Sequence, residues 1–157
     1  MYQRILIPLD GSELAECVLP HLETLLKDCP PPEVIVARSV EPIIPYVISG
    51  ESTVMIPVKQ TQAVEAQEKQ AAEEYLTRII ARLQLSGIKA TAHVLSGRAQ
   101  ESLIAFATEK KVDMVIISTH GRSGLGKLIW GSVADHLLRS LNVPVMMVRP
   151  CVNNEAN

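Results

Sequence analysis

The stretch DMVIISTHGRSGLGKLIWGS, residues 113–132, decides how the rest of the chain is read. Its first part, Asp113 to Ser118, is a continuous apolar run of strand length, as a central strand covered on both faces should be. Its second part holds four glycines, Gly121, Gly124, Gly126 and Gly131, and closes on Ser132 at the head of a helical pattern. Glycine lets backbone N–H groups converge on one concavity and lets phosphate oxygens approach closely. A helix start adds unpaired N–H groups and a dipole that favours an anion. Strand, glycine-rich loop and helix together make a phosphate cradle. Ser132 alone is equally well explained as an N-cap, with Asp135 three residues on completing a capping box. The glycines are not. GRSGLGKL (121–128) comes near the pattern G-x-x-x-x-G-K-[ST], but Leu128 stands where the Mg²⁺-binding hydroxyl belongs, which argues against a true P-loop.

Working outward, short β-branched runs alternate with helical patterns. Arg4 to Leu9 reads as a first strand, and Ser12 caps a helix to about Asp28 with Leu14, Val18, Leu22, Leu25 and Leu26 on one face. Pro20, inside that helix, should bend it. Cys29 to Glu33 breaks the pattern before a second strand, Glu33 to Val40. Residues 41–59, with three prolines, show no sustained period and read as a long loop. A long helix from about Thr61 to Leu85 carries Val64, Ala71, Ala72, Tyr75, Leu76, Ile79, Ile80 and Leu83 on its apolar face. Glu65/Lys69 and Glu74/Arg78 are spaced as supporting pairs on the other. A third strand, Lys89 to Ser96, leads through Gly97 to a helix from about Ala99 to Lys110. After Ser132 a helix turns Val133, Leu137, Leu138 and Leu141 inward, and Val143 to Val148 is the last strand.

Five strands with intervening helices predict an α/β fold: a doubly wound, Rossmann-like parallel sheet with helices on both faces. Residues 1–149 form the single domain and 150–157 a polar tail. Ligands of such sheets bind at the carboxyl ends of the strands where strand order reverses. If the first and fourth predicted strands flank that point, the site lies between Leu9–Ser12 and Ser118–Ser132.

At 157 residues and 47% hydrophobic content the chain has the size and composition of one ordinary globular domain. Aromatics make up only 3%, so the core must be aliphatic. A formal charge of -2 with interspersed signs, and no basic stripe, argues against nucleic acid. No signal-like start or apolar run of about 20 residues is evident, so a cytoplasmic protein with no membrane partner is expected. Cys17, Cys29 and Cys151 are scattered and suggest neither disulfides nor zinc. Cys17 reads as a core or boundary residue. His21, His93 and His136 lie on separate elements without metal spacing.

Ser118-Thr119-His120-Gly121, nine residues, then Gly131-Ser132 resembles the nucleotide motif G-x-x-G-x(9)-G-[ST] of the universal stress protein family, of the ATP-binding type. The resemblance extends over ILIPLDGS (5–12), Gly97, VDMVIISTHGRSGLG (112–126) and GSVADHLLRSLNVPVMMVR (131–149). It implies the five-stranded parallel fold of the adenine nucleotide alpha hydrolase-like type. It also implies homodimers, and binding of ATP (or ADP or AMP) with little or no hydrolysis, Mg²⁺ accompanying the nucleotide. By position, Gly121, Gly131 and Ser132 match the phosphate-contacting residues, Val133 extending that contact through its backbone. Asp10 matches the acidic residue near ribose and phosphates and is the candidate for Mg²⁺. Pro8 and Leu9 shape its turn, Ser39 and Val40 fall where adenine is held, and Ile117, Ser118 and Thr119 lie beside the ribose. His120, Arg122 and Gly124 complete the loop. Ser118 departs from the motif, which has glycine there.

Three functions are therefore in play. The first is an ATP-binding protein of stress response or signalling that acts by binding. The second is a nucleotide-independent dimeric module pairing through the apolar edge strand at 143–148. The third is a slow ATPase or a phosphotransferase using His120. Asp10 has a plainer reading as a turn residue before Gly11. Lys127 reads as solvated and Trp130 as a packing anchor.

Overall fold

Five parallel strands run in the order β5-β2-β1-β6-β7: β1 (Arg4–Pro8), β2 (Glu33–Val40), β5 (Ala90–Ser96), β6 (Met114–Ser118) and β7 (Val145–Val148). Between β2 and β5 stand β3 (Tyr46–Ser49) and β4 (Ser52–Met55), which pair antiparallel as a separate ribbon. The helices are α1 (Val18–Leu26), α2 (Val58–Leu85), α3 (Ala99–Glu109) and α4 (Ser132–Ser140). This computed structural model describes residues 2–27, 32–44, 46–49, 52–55, 58–119 and 131–150, with the backbone alone for 46–49, 52–55 and 58–60.

Alternation along the strands sorts side chains into two cores. Ile5, Ile7, Val34 and Val36 pack with Val18, Leu19 and Leu22 of α1 and Tyr75, Leu76, Ile79 and Leu83 of α2. Leu6, Ile35, Val115 and Ile117 pack with Leu103, Phe106 and Ala107 of α3 and Ala134 and Leu137 of α4. The first two helices thus cover one face and the last two the other. Strand order reverses between β1 and β6, which pair at Ile5–Met114 and Leu6–Val115. The predicted fold is the observed one, and its switch point falls where the sequence placed it. Half-buried Cys17 packs at the edge of the first core.

Several elements differ in detail. Residues 41–59 are not one long loop. YVIS and STVM are β-branched runs separated by Gly50-Glu51, a two-residue hairpin spacing that three nearby prolines obscure. The first helix is also shorter than its periodicity suggests. Ser12 Oγ accepts from the Ala15 N–H at 3.2 Å, but what it starts is a 3-10 turn, Ala15–Cys17. The α-helix begins at Val18, so Pro20 sits in its first turn, where a missing N–H costs nothing. In α2, Val64 and Ala71 are exposed, and the apolar residues buried in the core run from Ala72 to Leu83. Neither predicted ion pair forms there: Glu65 Oε1 instead accepts from the Ile43 N–H at 2.8 Å, and Gln70 Nε2 donates to Glu74 at 3.0 Å. Strand β7 starts at Val145 rather than Val143, although the Pro144 carbonyl before it already accepts from the Val115 N–H of β6 at 3.0 Å.

In α4, Leu138 was expected inside but is 47% exposed, whereas Leu137 is fully buried. Leu137→Ala should therefore destabilise by about 2–5 kcal/mol and Leu138→Ala by no more than about 0.5, read by urea unfolding.

Candidate functional site

The carboxyl ends of β1, β2 and β6 and the first turns of α3 and α4 surround a cavity of about 270 Å³. Strand β1 supplies Pro8 and Leu9, followed by Asp10; β2 supplies Ser39; β6 supplies Ile117 and Ser118. Gly131, Ser132, Val133 and Ala134 close it at the head of α4. Ala15, Ala99 and Leu103 complete an apolar wall that sequence reasoning missed. Ala99 and Leu103 stand one helical turn apart at the start of α3, the spacing that would have put them on the same face as each other.

The turn after β1 is fixed locally. Asp10 Oδ1 accepts from the Ser12 N–H at 2.9 Å and from the Ser12 hydroxyl at 2.6 Å. Gly11 between them has φ +90°, and a Cβ there would meet the Arg38 guanidinium at 2.8 Å. The turn-forming reading of Asp10 thus holds, and the same residue lines the cleft. Among the described residues no group of three or more His, Cys, Asp or Glu could hold a metal ion.

At the head of α4 the Gly131 N–H donates to the Thr119 carbonyl at 2.8 Å, and the Thr119 N–H donates to the Val148 carbonyl at 2.8 Å. A Cβ on Gly131 would stand 3.0 Å from that Thr119 oxygen, tight enough that a side chain there would push the carbonyl back by a few tenths of an ångström. Ser132 is not the N-cap. Gly131 is the cap, Ser132 the first helical residue, and no side-chain cap is seen among the described residues. Asp135 does not complete a capping box, because its carboxylate accepts from Arg139 Nε at 2.9 and 3.0 Å. Ser132, Val133 and Ala134, whose N–H groups have no partner within the helix, are among the residues lining the cavity.

Of the predicted residues, Pro8, Leu9, Asp10, Ser39, Ile117, Ser118, Gly131, Ser132 and Val133 therefore meet in one cleft, with Thr119 behind it. Ser39 is partly committed: its hydroxyl donates to the Gly97 carbonyl at 2.7 Å and lies 2.9 Å from the Ser102 hydroxyl. Val40 is not brought in. It lines a separate cavity of about 400 Å³ with Glu41, Pro42 and Glu65, and its carbonyl accepts from the Gly97 N–H at 3.0 Å. His120, Gly121, Arg122, Gly124, Lys127 and Trp130 lie outside the described residues.

A model of the universal stress protein family matches residues 1–149. Universal stress protein MJ0531 of Methanocaldococcus jannaschii is 25% identical over 150 residues, covering 95% of this chain and 83% of the relative. The solved structure of MJ0577 superposes with a TM-score of 0.77 at 24% identity, over 95% of this chain and 96% of that one. A universal stress protein in complex with cAMP has a TM-score of 0.65 at 18% identity, over 94% of this chain and 97% of that one. One from Arabidopsis thaliana with AMP bound has a TM-score of 0.67 at 11% identity, over 99% and 96%. At these identities the three structures speak for the fold. No helix among the described residues is long and apolar enough to cross a membrane.

Beneath the cleft, Tyr75 of α2 is 5% exposed and its hydroxyl has no hydrogen-bond partner among the described residues. Burial first, and then the negative charge of Glu16, raise its pKa well above the ordinary value. Below about pH 10 folded and unfolded chains both keep the phenol protonated, so its contribution is fully present. Above that the unfolded chain ionises first and stability falls. Urea unfolding should show wild type losing stability from about pH 9 to about pH 11 more steeply than Tyr75→Phe. At neutral pH that variant should be unchanged or more stable by about 1 kcal/mol.

Proposed function

This chain belongs to the universal stress protein family, and from that premise we propose that it binds an adenine nucleotide, ATP in first place, in the cleft between β1 and β6. The observation that carries the reading is the head of α4. There a glycine-capped helix start, with no side-chain cap among the described residues, opens onto a cavity whose other walls carry Leu9, Ala15, Ala99, Leu103 and Ile117 beside Asp10, Ser39 and Ser118. Unpaired N–H groups and the helix dipole suit a phosphate, while Leu9, Ala99, Leu103 and Ile117 suit a flat heteroaromatic ring. Solved relatives with AMP and with cAMP bound support adenine as the base.

In this reading Gly131, Ser132 and Val133 receive phosphate with the loop residues His120, Gly121, Arg122 and Gly124. Ile117, Ser118 and Thr119 flank the ribose, and Ser118 lines the cleft where the family motif has glycine. Asp10 supplies the one carboxylate that lines the cleft among the described residues. Mg²⁺ is commonly held by one or two carboxylates together with substrate phosphates and water, which suits Asp10 as such a partner. The protein acts in stress response or signalling by binding and pairing rather than by turnover, in the cytoplasm. β7 is an edge strand of apolar residues, which favours two-fold pairing with a second copy.

Calorimetry on nucleotide-stripped protein with ATP and Mg²⁺ should show saturable micromolar binding, with GTP weaker. Gly131→Val, which drives a side chain onto the Thr119 carbonyl, should weaken it by about tenfold or more, a loss of about 1.4 kcal/mol. Absence of heat with any nucleotide from a folded protein would overturn the reading in favour of a nucleotide-independent module. Light scattering at micromolar concentration should report a dimer; a monomer would remove β7 as the interface.

A further inference from the structure

Arg38 lies on β2 two residues beyond Val36, on the sheet face covered by α1 and α2, and is only 8% exposed. Its guanidinium packs directly under Gly11: a Cβ on that glycine would lie 2.8 Å from Nη1, 2.9 Å from Cζ and 3.2 Å from Nη2. It is also stacked on the Tyr75 ring at 5.4 Å, and the Arg78 guanidinium lies 5.9 Å from the same ring. The Asp10–Ser12 turn thus has the cleft on one side and a buried cation on the other. No sequence pattern singled Arg38 out, because the alternation of β2 predicts a core aliphatic at that position.

A guanidinium taken out of water costs several kcal/mol unless its surroundings compensate. Stacking on Tyr75 recovers part of that. The position itself is informative, for this is a positive charge fixed beneath a turn whose carboxylate faces a site proposed to take a polyphosphate. A carboxylate and a triphosphate repel, and at the effective dielectric of a protein a unit charge about 10 Å away still changes affinity severalfold.

Resting on the nucleotide reading above, we infer that Arg38 is the positioning residue of the cleft. Its guanidinium holds the Asp10–Gly11–Ser12 turn from beneath and offsets the negative charge gathered there, so that affinity rises with the number of phosphates. Arg38 touches no phosphate itself; it acts through the turn and through its field.

The experiment is a calorimetric titration of wild type, Arg38→Met and Arg38→Lys with adenosine, AMP and ATP–Mg²⁺, with thermal melts to confirm folding. Arg38→Met keeps an unbranched apolar side chain at this position and removes both the charge and the planar group stacked on Tyr75. It should weaken ATP by about tenfold, AMP by about threefold and adenosine by less than about twofold, while Arg38→Lys recovers most of the ATP affinity. Equal weakening of all three ligands, or none, overturns the inference and leaves Arg38 as a packing residue. Should Arg38→Met fail to fold, Gly11→Ala carries the test. Its methyl group displaces the guanidinium, so the same phosphate-graded loss is expected, and an ungraded loss overturns the inference. Wild type that binds none of the three ligands overturns the nucleotide reading and this inference with it. Wild type that binds alongside an unaltered Arg38→Met overturns the inference alone.

Discussion

The pairing of β1 with β6 is the constraint on which the rest of the molecule depends. It is the one seam joining the β5-β2-β1 half of the sheet to the β6-β7 half, and it is short. Register runs through Ile5–Met114 and Leu6–Val115, whereas β1 follows β2 for its whole length. The seam is reinforced at its start, where the Asp113 carboxylate accepts from the Gln3 and Arg4 N–H groups at 2.7 and 3.0 Å. Beyond Leu6 the two strands no longer share a ladder, and Pro8 has no N–H to offer one. The chains leaving β1 and β6 therefore go to opposite sides of an opening. A cleft at that place follows from the topology before any side chain is considered.

What fills the opening is set by a second constraint, the approach of α4. The Gly131 N–H on the Thr119 carbonyl returns the chain to the end of β6, and Thr119 is itself tied to β7 through Val148. Two hydrogen bonds in series thus fix the head of α4 to the end of the sheet. Capping by Gly131, with Asp135 drawn off to Arg139, leaves the first N–H groups of the helix without a side-chain acceptor among the described residues. A serine or aspartate cap would have filled that need internally. The sequence reading of Ser132 as the cap missed this by one residue: a serine in that place could have satisfied a helix N–H internally, whereas Gly131 has no side chain with which to do so.

How much was legible in the residues follows the same division between pattern and placement. β6, a run of buried apolar residues, and α2 from Ala72 to Leu83 declared themselves by period, because burial on both faces or on one stripe leaves a mark in composition. The β3–β4 ribbon was hidden because prolines at 42, 45 and 57 outweighed two four-residue runs that alone look marginal. Val64 and Leu138 misled for a different reason. Amphipathic spacing says which residues share a stripe and is silent on where the neighbouring layer ends. In the cleft, the residues with unusual chemistry were readable, whereas Ala15, Ala99 and Leu103 were not. A small or apolar residue carries no mark of lining a site until the topology brings it there.

Arg38 shows why polar residues in a strand call for an explanation of place as well as of charge. Val34 and Val36 precede it on the same face and are fully buried, so continuity of the core would favour a third aliphatic. A guanidinium there needs a ring to lie on and a neighbour without a side chain, and Tyr75 and Gly11 supply them. The three residues come from β2, α2 and the β1 turn, each constraining the next. The raised pKa of the Tyr75 phenol reports the same arrangement: burial first, then Glu16, push it up against the opposing influence of Arg38. A ring that is neutral at neutral pH in any case can lie against two guanidinium groups, Arg38 and Arg78, through its face alone.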